Sequence, residues 1–122
     1  MIKLAHNTID KKDYKVLIKF LEKNSYLNQS KITKKFEEKF SRKIGTNYSV
    51  FVNSGSSANL LIAQTLLEGN FLKNKIAILP SLSWSTTVSP FLQLGYKVLL
   101  CDCDSETLGI NVKHLEKLCK KF

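Results

Sequence analysis

The stretch FVNSGSSANLLIAQTLL, residues 51–67, joins an apolar run to a helix-like segment through a turn of small polar residues. The apolar run YSVFV, residues 48–52, is β-branched and aromatic, which is typical of a strand. From residue 57 to residue 67 the apolar side chains recur with the spacing of a helix. The sequence therefore predicts a strand that leads directly into a helix.

The turn between the two elements has the composition of an anion-binding loop. The first turn of a helix leaves backbone N–H groups unpaired, and the helix dipole adds a partial positive charge there. Gly55 allows the backbone to turn sharply and to approach a ligand, and Ser56 and Ser57 add hydroxyl donors. These groups predict a phosphate-binding loop. The spacing leaves one alternative open, in which Ser56 or Ser57 only caps the helix.

A second candidate ligand contact lies in the loop PSLSWSTT, residues 80–87, after the next predicted strand. Small hydroxyl residues surround Trp84 there, and such surroundings favour a ring that stacks on a flat ligand. The alternative is that the Trp84 ring packs beneath the loop. A phosphate loop after one strand and an aromatic ring after the next together indicate a phosphorylated, planar cofactor.

Elsewhere the chain alternates helices and strands. Helices are predicted over residues 12–23, 31–42, 84–94 and after Asn111, and strands over residues 75–79 and 97–103. Pro90 is expected to shorten, kink or break its helix. The alternation predicts an α/β fold with a mainly parallel sheet, in three α/β/α layers, whose ligands bind beyond the carboxyl ends of the strands. We predict a helical segment over residues 1–47 and an incomplete α/β domain over residues 48–122.

The composition is basic but does not favour nucleic acid. Nineteen Lys and Arg residues against ten Asp and Glu give a formal charge of +9. Arg42 is the only arginine, although arginine is the usual residue for bidentate phosphate and base contacts. The lysines are scattered, which favours a solvated surface. A non-catalytic basic binding module is the alternative that the charge leaves open.

Cysteine content and hydropathy give three further expectations. The chain has an odd number of cysteines, Cys101, Cys103 and Cys119, and they lack the paired spacing of a zinc site. We therefore expect neither a metal site nor a disulfide framework. The first ten residues lack the apolar segment of a secretory signal peptide. The longest apolar run is too short to span a membrane. We expect a cytoplasmic protein without membrane partners.

Four segments, in the same order, resemble the DegT/DnrJ/StrS family. They are LNQSKITKKFEEKF, NSGSSANLLIA, LPSLSWSTT and GYKVLLCDCDSETLGIN, at residues 27–40, 53–63, 79–87 and 95–111. The family has the aspartate-aminotransferase fold, fold type I, and uses pyridoxal 5′-phosphate (PLP). Its members mostly aminate ketosugars attached to nucleotides.

The resemblance implies roles for particular residues. Gly55, Ser56 and Ser57 would bind the PLP phosphate, and Trp84 would stack on its pyridine ring. Asp102 and Asp104 match strand-end acids of the family, which we interpret as structural. The resemblance places the Schiff-base lysine beyond Phe122, so no catalytic residue is assigned here. The chain is thus expected to be an amino-terminal fragment without activity of its own.

The resemblance also implies an activity for the complete enzyme. We expect a sugar aminotransferase that acts on a nucleotide-linked ketosugar with an amino donor, as a homodimer, in the synthesis of lipopolysaccharide or another surface polysaccharide. One branch of the family carries histidine in place of the lysine and removes the C3 hydroxyl of the sugar. This 3-dehydratase branch is the alternative, because the deciding residue lies outside the sequence.

Overall fold

A computed structural model describes residues 5–23 and 27–121, and its chain forms two compact units, Met1–Phe51 and Val52–Phe122. The division between residues 47 and 48 that the sequence suggests stays a prediction. Part of the connector after the first predicted helix lies outside the described residues.

The first unit contains two amphipathic helices, α1 (Lys11–Glu22) and α2 (Lys31–Ile44). Asp10 caps α1, because its carboxylate accepts the N–H groups of Lys12 and Asp13 at 2.6 and 3.0 Å. The Asp13 carboxylate accepts the Asp10 N–H in return, which completes a capping box. The amino-terminal end of α1 is therefore fixed by local hydrogen bonds.

Aromatic side chains form the main apolar cluster of this unit. Phe36 stacks on Phe40 at 5.8 Å between ring centroids and meets Phe51 edge-on at 5.4 Å. The cluster remains half exposed. The buried residue beside it is Ser41, whose hydroxyl donates to the Ser49 hydroxyl at 2.8 Å.

The second unit is an α/β arrangement around a parallel pair of strands. Its elements are α3 (Gly55–Glu68), β1 (Ile76–Pro80), α4 (Ser85–Gln93), β2 (Lys97–Cys101) and α5 (Val112–Cys119). Strands β1 and β2 pair in parallel, with a register from Ile76 opposite Lys97 to Pro80 opposite Cys101. The predicted parallel α/β pattern is confirmed here. Helix α4 connects the two strands, which makes a βαβ unit.

The buried core of this unit joins α3 to the βαβ unit. Ala63 on α3, Ala77 on β1 and Tyr96 before β2 form the buried core. The Tyr96 hydroxyl donates to the Ala63 carbonyl at 2.7 Å, and its ring meets Phe91 edge-on at 5.1 Å. Tyr96 thus joins α3, α4 and the start of β2.

Two predicted elements differ from the structure. Residues 48–52 form no strand, because a strand needs a paired neighbour and the paired strands of the described chain are β1 and β2. The strand predicted over residues 97–103 ends at Cys101, since the Asp102 N–H donates to the Nδ1 atom of His114 instead of a neighbouring strand. Cys103 then forms only an isolated antiparallel bridge with Ile110.

Helix α4 continues through Pro90, which is buried, and neither stops nor breaks there. Gly95 follows the helix with a φ of 76°, in the left-handed region expected at C′. Asn111 caps α5, the helix predicted after it, and its side chain accepts the His114 N–H at 2.9 Å.

Candidate functional site

The predicted phosphate loop lies at the amino-terminal end of α3. Ser54 is the N-cap, and its hydroxyl oxygen accepts the Ser57 N–H at 3.1 Å. The Ser57 hydroxyl donates to the Asn53 side-chain oxygen at 2.6 Å and accepts from the Ser54 hydroxyl at 3.1 Å. The capping alternative for Ser56 or Ser57 is therefore wrong, because Ser54 performs that role. The sequence signal was present, since serine three residues before the capped N–H is a common N-cap pattern.

Two backbone N–H donors of this turn are not used by the cap. Gly55 and Ser56 begin the helix, where backbone N–H groups have no intrahelical acceptor. Within residues 5–23 and 27–121, neither of these two N–H groups has a hydrogen-bond partner. The open donors and the positive end of the α3 dipole can bind an anion.

Gly55 leaves room for that anion. Its φ is not positive, so the backbone conformation alone does not require glycine. A Cβ atom added at Gly55 would meet no atom within 4 Å. The side of the turn where a side chain would stand is thus open, and a phosphate can approach the bare backbone. The loop fits a phosphate group.

Trp84 is the N-cap residue of α4, four residues after the end of β1. Its side chain is 77% exposed, so the alternative in which the ring packs beneath the loop is wrong. The Trp84 carbonyl accepts the Thr87 N–H at 2.8 Å, which fixes the backbone at the start of the helix. The ring is accessible to a planar ligand, and its stacking on one stays a prediction.

A side-chain hydrogen bond connects the two helix starts. The Asn59 amide, on the second turn of α3, donates to the Thr86 carbonyl of α4 at 3.1 Å. Thr86 lies two residues after Trp84. The loop at Gly55–Ser57 and the Trp84 ring therefore lie on adjacent helix ends. Asn59 was not predicted as a site residue, because an asparagine within an apolar helical pattern does not by itself identify its partner.

An apolar cavity of about 530 Å³ adjoins α3 and α4 within the second unit. It offers van der Waals surface and few hydrogen-bonding groups. Its lining residues come from both helices and from the chain before α3, namely Val52, Ser57, Leu60, Leu61, Gln64, Gln93 and Leu94. The cavity therefore does not suit a phosphate.

Asp104 belongs to the turn after β2. Its carboxylate accepts the N–H and hydroxyl of Thr107 at 2.9 and 3.0 Å and the Glu106 N–H at 3.2 Å. These bonds, chiefly the one from the Thr107 N–H, lower the pKa of Asp104 below its usual 3.8. Asp102 accepts the N–H of Cys103, the residue that follows it, at 2.9 Å. Both carboxylates make the local bonds of turn residues.

Two features are absent from residues 5–23 and 27–121. No group of three or more His, Cys, Asp or Glu side chains there could hold a metal ion. None of the helices in these ranges has the length and apolar content needed to cross a membrane.

Comparison with known proteins gives a family and its relatives. The profile of the DegT/DnrJ/EryC1/StrS aminotransferase family matches residues 7–122, which confirms the resemblance carried by the four segments. GDP-4-keto-6-deoxy-D-mannose 3-dehydratase of Yersinia pseudotuberculosis is 34% identical to this chain over 116 residues. That alignment covers 93% of this chain and 29% of the relative.

Solved structures of the same kind of enzyme share the fold. E. coli GDP-4-keto-6-deoxy-D-mannose-3-dehydratase with bound hydrated PLP matches with a TM-score of 0.83 and 34% identity, over 93% of this chain and 30% of that one. A second 3-dehydratase structure, with a trapped PLP-glutamate geminal diamine, matches with a TM-score of 0.77 and 32% identity, over 94% of this chain and 30% of that one. The predicted fold, the amino-terminal part of a fold-type-I enzyme, is confirmed. The chain spans about 30% of the length of these relatives.

Proposed function

The chain belongs to the DegT/DnrJ/EryC1/StrS aminotransferase family, and we propose that it forms the cofactor-binding amino-terminal part of a PLP-dependent enzyme acting on a nucleotide-linked ketosugar. The observation that carries the proposal is the open turn at the start of α3. Its unpaired N–H groups lie on the helix end beside the one that carries an exposed tryptophan.

The phosphate of PLP would bind at the start of α3. The N–H groups of Gly55 and Ser56 would donate to it, and the Ser56 hydroxyl would add a third donor. In the structure the Ser57 hydroxyl donates to the Asn53 side chain and accepts from the Ser54 hydroxyl. When the ligand binds, the Ser57 O–H would leave Asn53 and donate to the phosphate instead. Hydrogen bonds to a charged phosphate are worth about 1.5–3 kcal/mol each.

The pyridine ring of PLP would lie against Trp84. Aromatic stacking contributes about 0.5–1.5 kcal/mol beyond the area that it buries. When bound, PLP supplies an electron sink for carbanion chemistry, and the protein orients it. The task of this chain is thus to hold the phosphate and one face of the ring.

For the reaction of the complete enzyme, we propose removal of the C3 hydroxyl of a GDP-linked 4-ketosugar. The relatives at 34% identity, which cover 93% of this chain, are named 3-dehydratases. Amino transfer to the ketosugar is the second candidate, and the family's description favours it. The proposal includes glutamate as amino donor, a homodimer, and a cytoplasmic role in polysaccharide synthesis.

A chimera tests the cofactor-binding role. Residues 7–121 replace the matching segment of the E. coli 3-dehydratase, and PLP affinity is measured by equilibrium dialysis. Ser57→Ala with Trp84→Ala should weaken PLP binding by about 2–4 kcal/mol, since a phosphate hydrogen bond and the stacking surface are lost together. Ser105→Ala with Leu82→Ala, which changes exposed residues of the same unit, is the matched control. Equal affinity of the two double variants would contradict both assigned roles.

The reaction itself is tested on the natural polypeptide that contains residues 1–122. It is incubated with PLP, glutamate and GDP-4-keto-6-deoxymannose, and the sugar products are identified by mass spectrometry. A C3-deoxy ketosugar is the expected product. A C4 aminosugar would replace the dehydratase proposal with the aminotransferase one.

A further inference from the structure

Helix α4 contains a carbonyl group that its own helix cannot pair in the usual way. In an α-helix, the N–H of residue 90 would bond the carbonyl of residue 86. Proline has no N–H, so Pro90 cannot donate to the Thr86 carbonyl. Pro90 is buried, and Thr86 is half-buried. A carbonyl in such a place needs a donor from elsewhere.

Asn59 supplies that donor from the neighbouring helix. Its side-chain amide lies 3.1 Å from the Thr86 carbonyl oxygen, across 27 residues of sequence. Asn59 is itself half-buried, in an otherwise apolar part of α3. The acceptor of this bond is the Thr86 carbonyl, which Pro90 leaves without its helical donor, and the donor comes from α3.

This hydrogen bond joins α3 to the first turn of α4, which begins directly after Trp84. Trp84 makes no side-chain capping bond, and its ring is 77% exposed. Its backbone is tied to the first turn of α4 through the Thr87 N–H. The position of the ring relative to the α3 turn thus depends on how the α4 start is attached to α3. Asn59, one helical turn after Gly55, bonds the start of α4 to α3.

We propose that Asn59 is a positioning residue, which holds Trp84 beside the phosphate-binding turn so that one ligand contacts both. This inference rests on the proposed function, because it takes the ligand to be a phosphorylated, planar cofactor. A ligand of that kind gains from the two helix starts together only when their separation matches its own length. Asn59 sets that separation without contacting the ligand.

Trp84 is the only tryptophan, so intrinsic fluorescence reports on this position alone. The probe is pyridoxamine 5′-phosphate, which absorbs where tryptophan emits and has no aldehyde to react with the many surface lysines. Asn59→Leu keeps a similar volume and removes the donor without adding charge. We expect its affinity for the probe to fall about five- to tenfold, the effect of one lost hydrogen bond. The Trp84 fluorescence that remains when the protein is saturated with the probe should be higher in Asn59→Leu than in the wild type.

Three comparisons separate positioning from stability. Binding of inorganic phosphate, followed by ³¹P NMR relaxation, should be the same in Asn59→Leu and wild type, because the α3 turn is intact. Asn74→Leu is the matched control, since it removes a local asparagine bond to the Ile76 N–H and should leave probe binding unchanged. Pro90→Ala added to Asn59→Leu restores a donor for the Thr86 carbonyl, and should recover thermal stability without recovering the fluorescence quenching.

Several results would overturn the proposal. Probe binding and quenching by Asn59→Leu equal to those of the wild type would mean that other contacts hold Trp84, and that outcome ends the positioning role. Full recovery of quenching by Pro90→Ala would reduce Asn59 to a structural donor. Wild-type protein that binds inorganic phosphate but not the probe would overturn the positioning role, whereas failure to bind either would overturn the proposed function itself.

Discussion

The two compact units differ in how their apolar residues are used. The second unit buries Ala63, Ala77, Tyr96 and Cys101, and this core lies directly behind the helices that carry the candidate site. In the described part of the first unit, Ser41 alone is buried, and the apolar faces of α1 and α2 are about half exposed. The candidate site is therefore supported by packing, whereas the first unit depends on capping and on contacts along each helix.

Tyrosine substitutions in the two units should give the largest contrast. Tyr96→Ala removes a buried ring and the hydroxyl bond to the Ala63 carbonyl, and should lower the free energy of unfolding by about 3–5 kcal/mol. Tyr14→Ala on α1 makes the same chemical change at a side chain that is 51% exposed. It should cost less than about 1 kcal/mol. Urea unfolding measures both, and equal losses would contradict the difference in packing.

The pattern of helices was predictable because it depends on local chemistry. Two helix starts are capped by nearby side chains, those of Asp10 and Asn111. One helix end is followed by Gly95, whose positive φ favours glycine. The parallel pairing of β1 and β2 followed from the intervening helix, because a βαβ unit leaves little choice of direction.

The errors in the predicted helices and strands concern distant partners. Whether residues 48–52 form a strand depends on a neighbouring strand that no local pattern reveals. Pro90 was expected to disturb α4, but the Asn59 amide bonds the carbonyl that proline leaves without its helical donor. The candidate site was predictable to the extent that Gly55 and Trp84 lie at helix starts. Their attachment to each other through Asn59 was not.

Loss of the α1 cap should give a smaller effect, confined to the first unit. Asp10→Ala removes an acceptor for the N–H groups of Lys12 and Asp13 and should destabilise α1 by about 1 kcal/mol. Because α1 buries no residue, the loss should appear as faster amide hydrogen exchange within that helix. Asn111→Ala, at the cap of α5, is the matched change in the second unit. Spread of faster exchange from α1 to β1 and β2 would contradict this prediction.

The smallest expected effect is a pH dependence in the exposed turn of the second unit. Hydrogen bonds from Thr107 and Glu106 lower the pKa of Asp104 in the folded state. At a pH between the folded and the unfolded pKa, the unfolded chain therefore binds more protons than the folded one. The stabilisation is complete above the unfolded pKa of about 3.8 and is lost as the pH falls through the folded pKa. Carboxyl NMR titration should detect the lowered pKa, and Thr107→Val should raise it by removing the hydroxyl donor. Thr46→Val, in the first unit, is the control and should leave the pKa of Asp104 unchanged. A shifted pKa in this variant would mean that more than the hydrogen bonds of the turn lowers it.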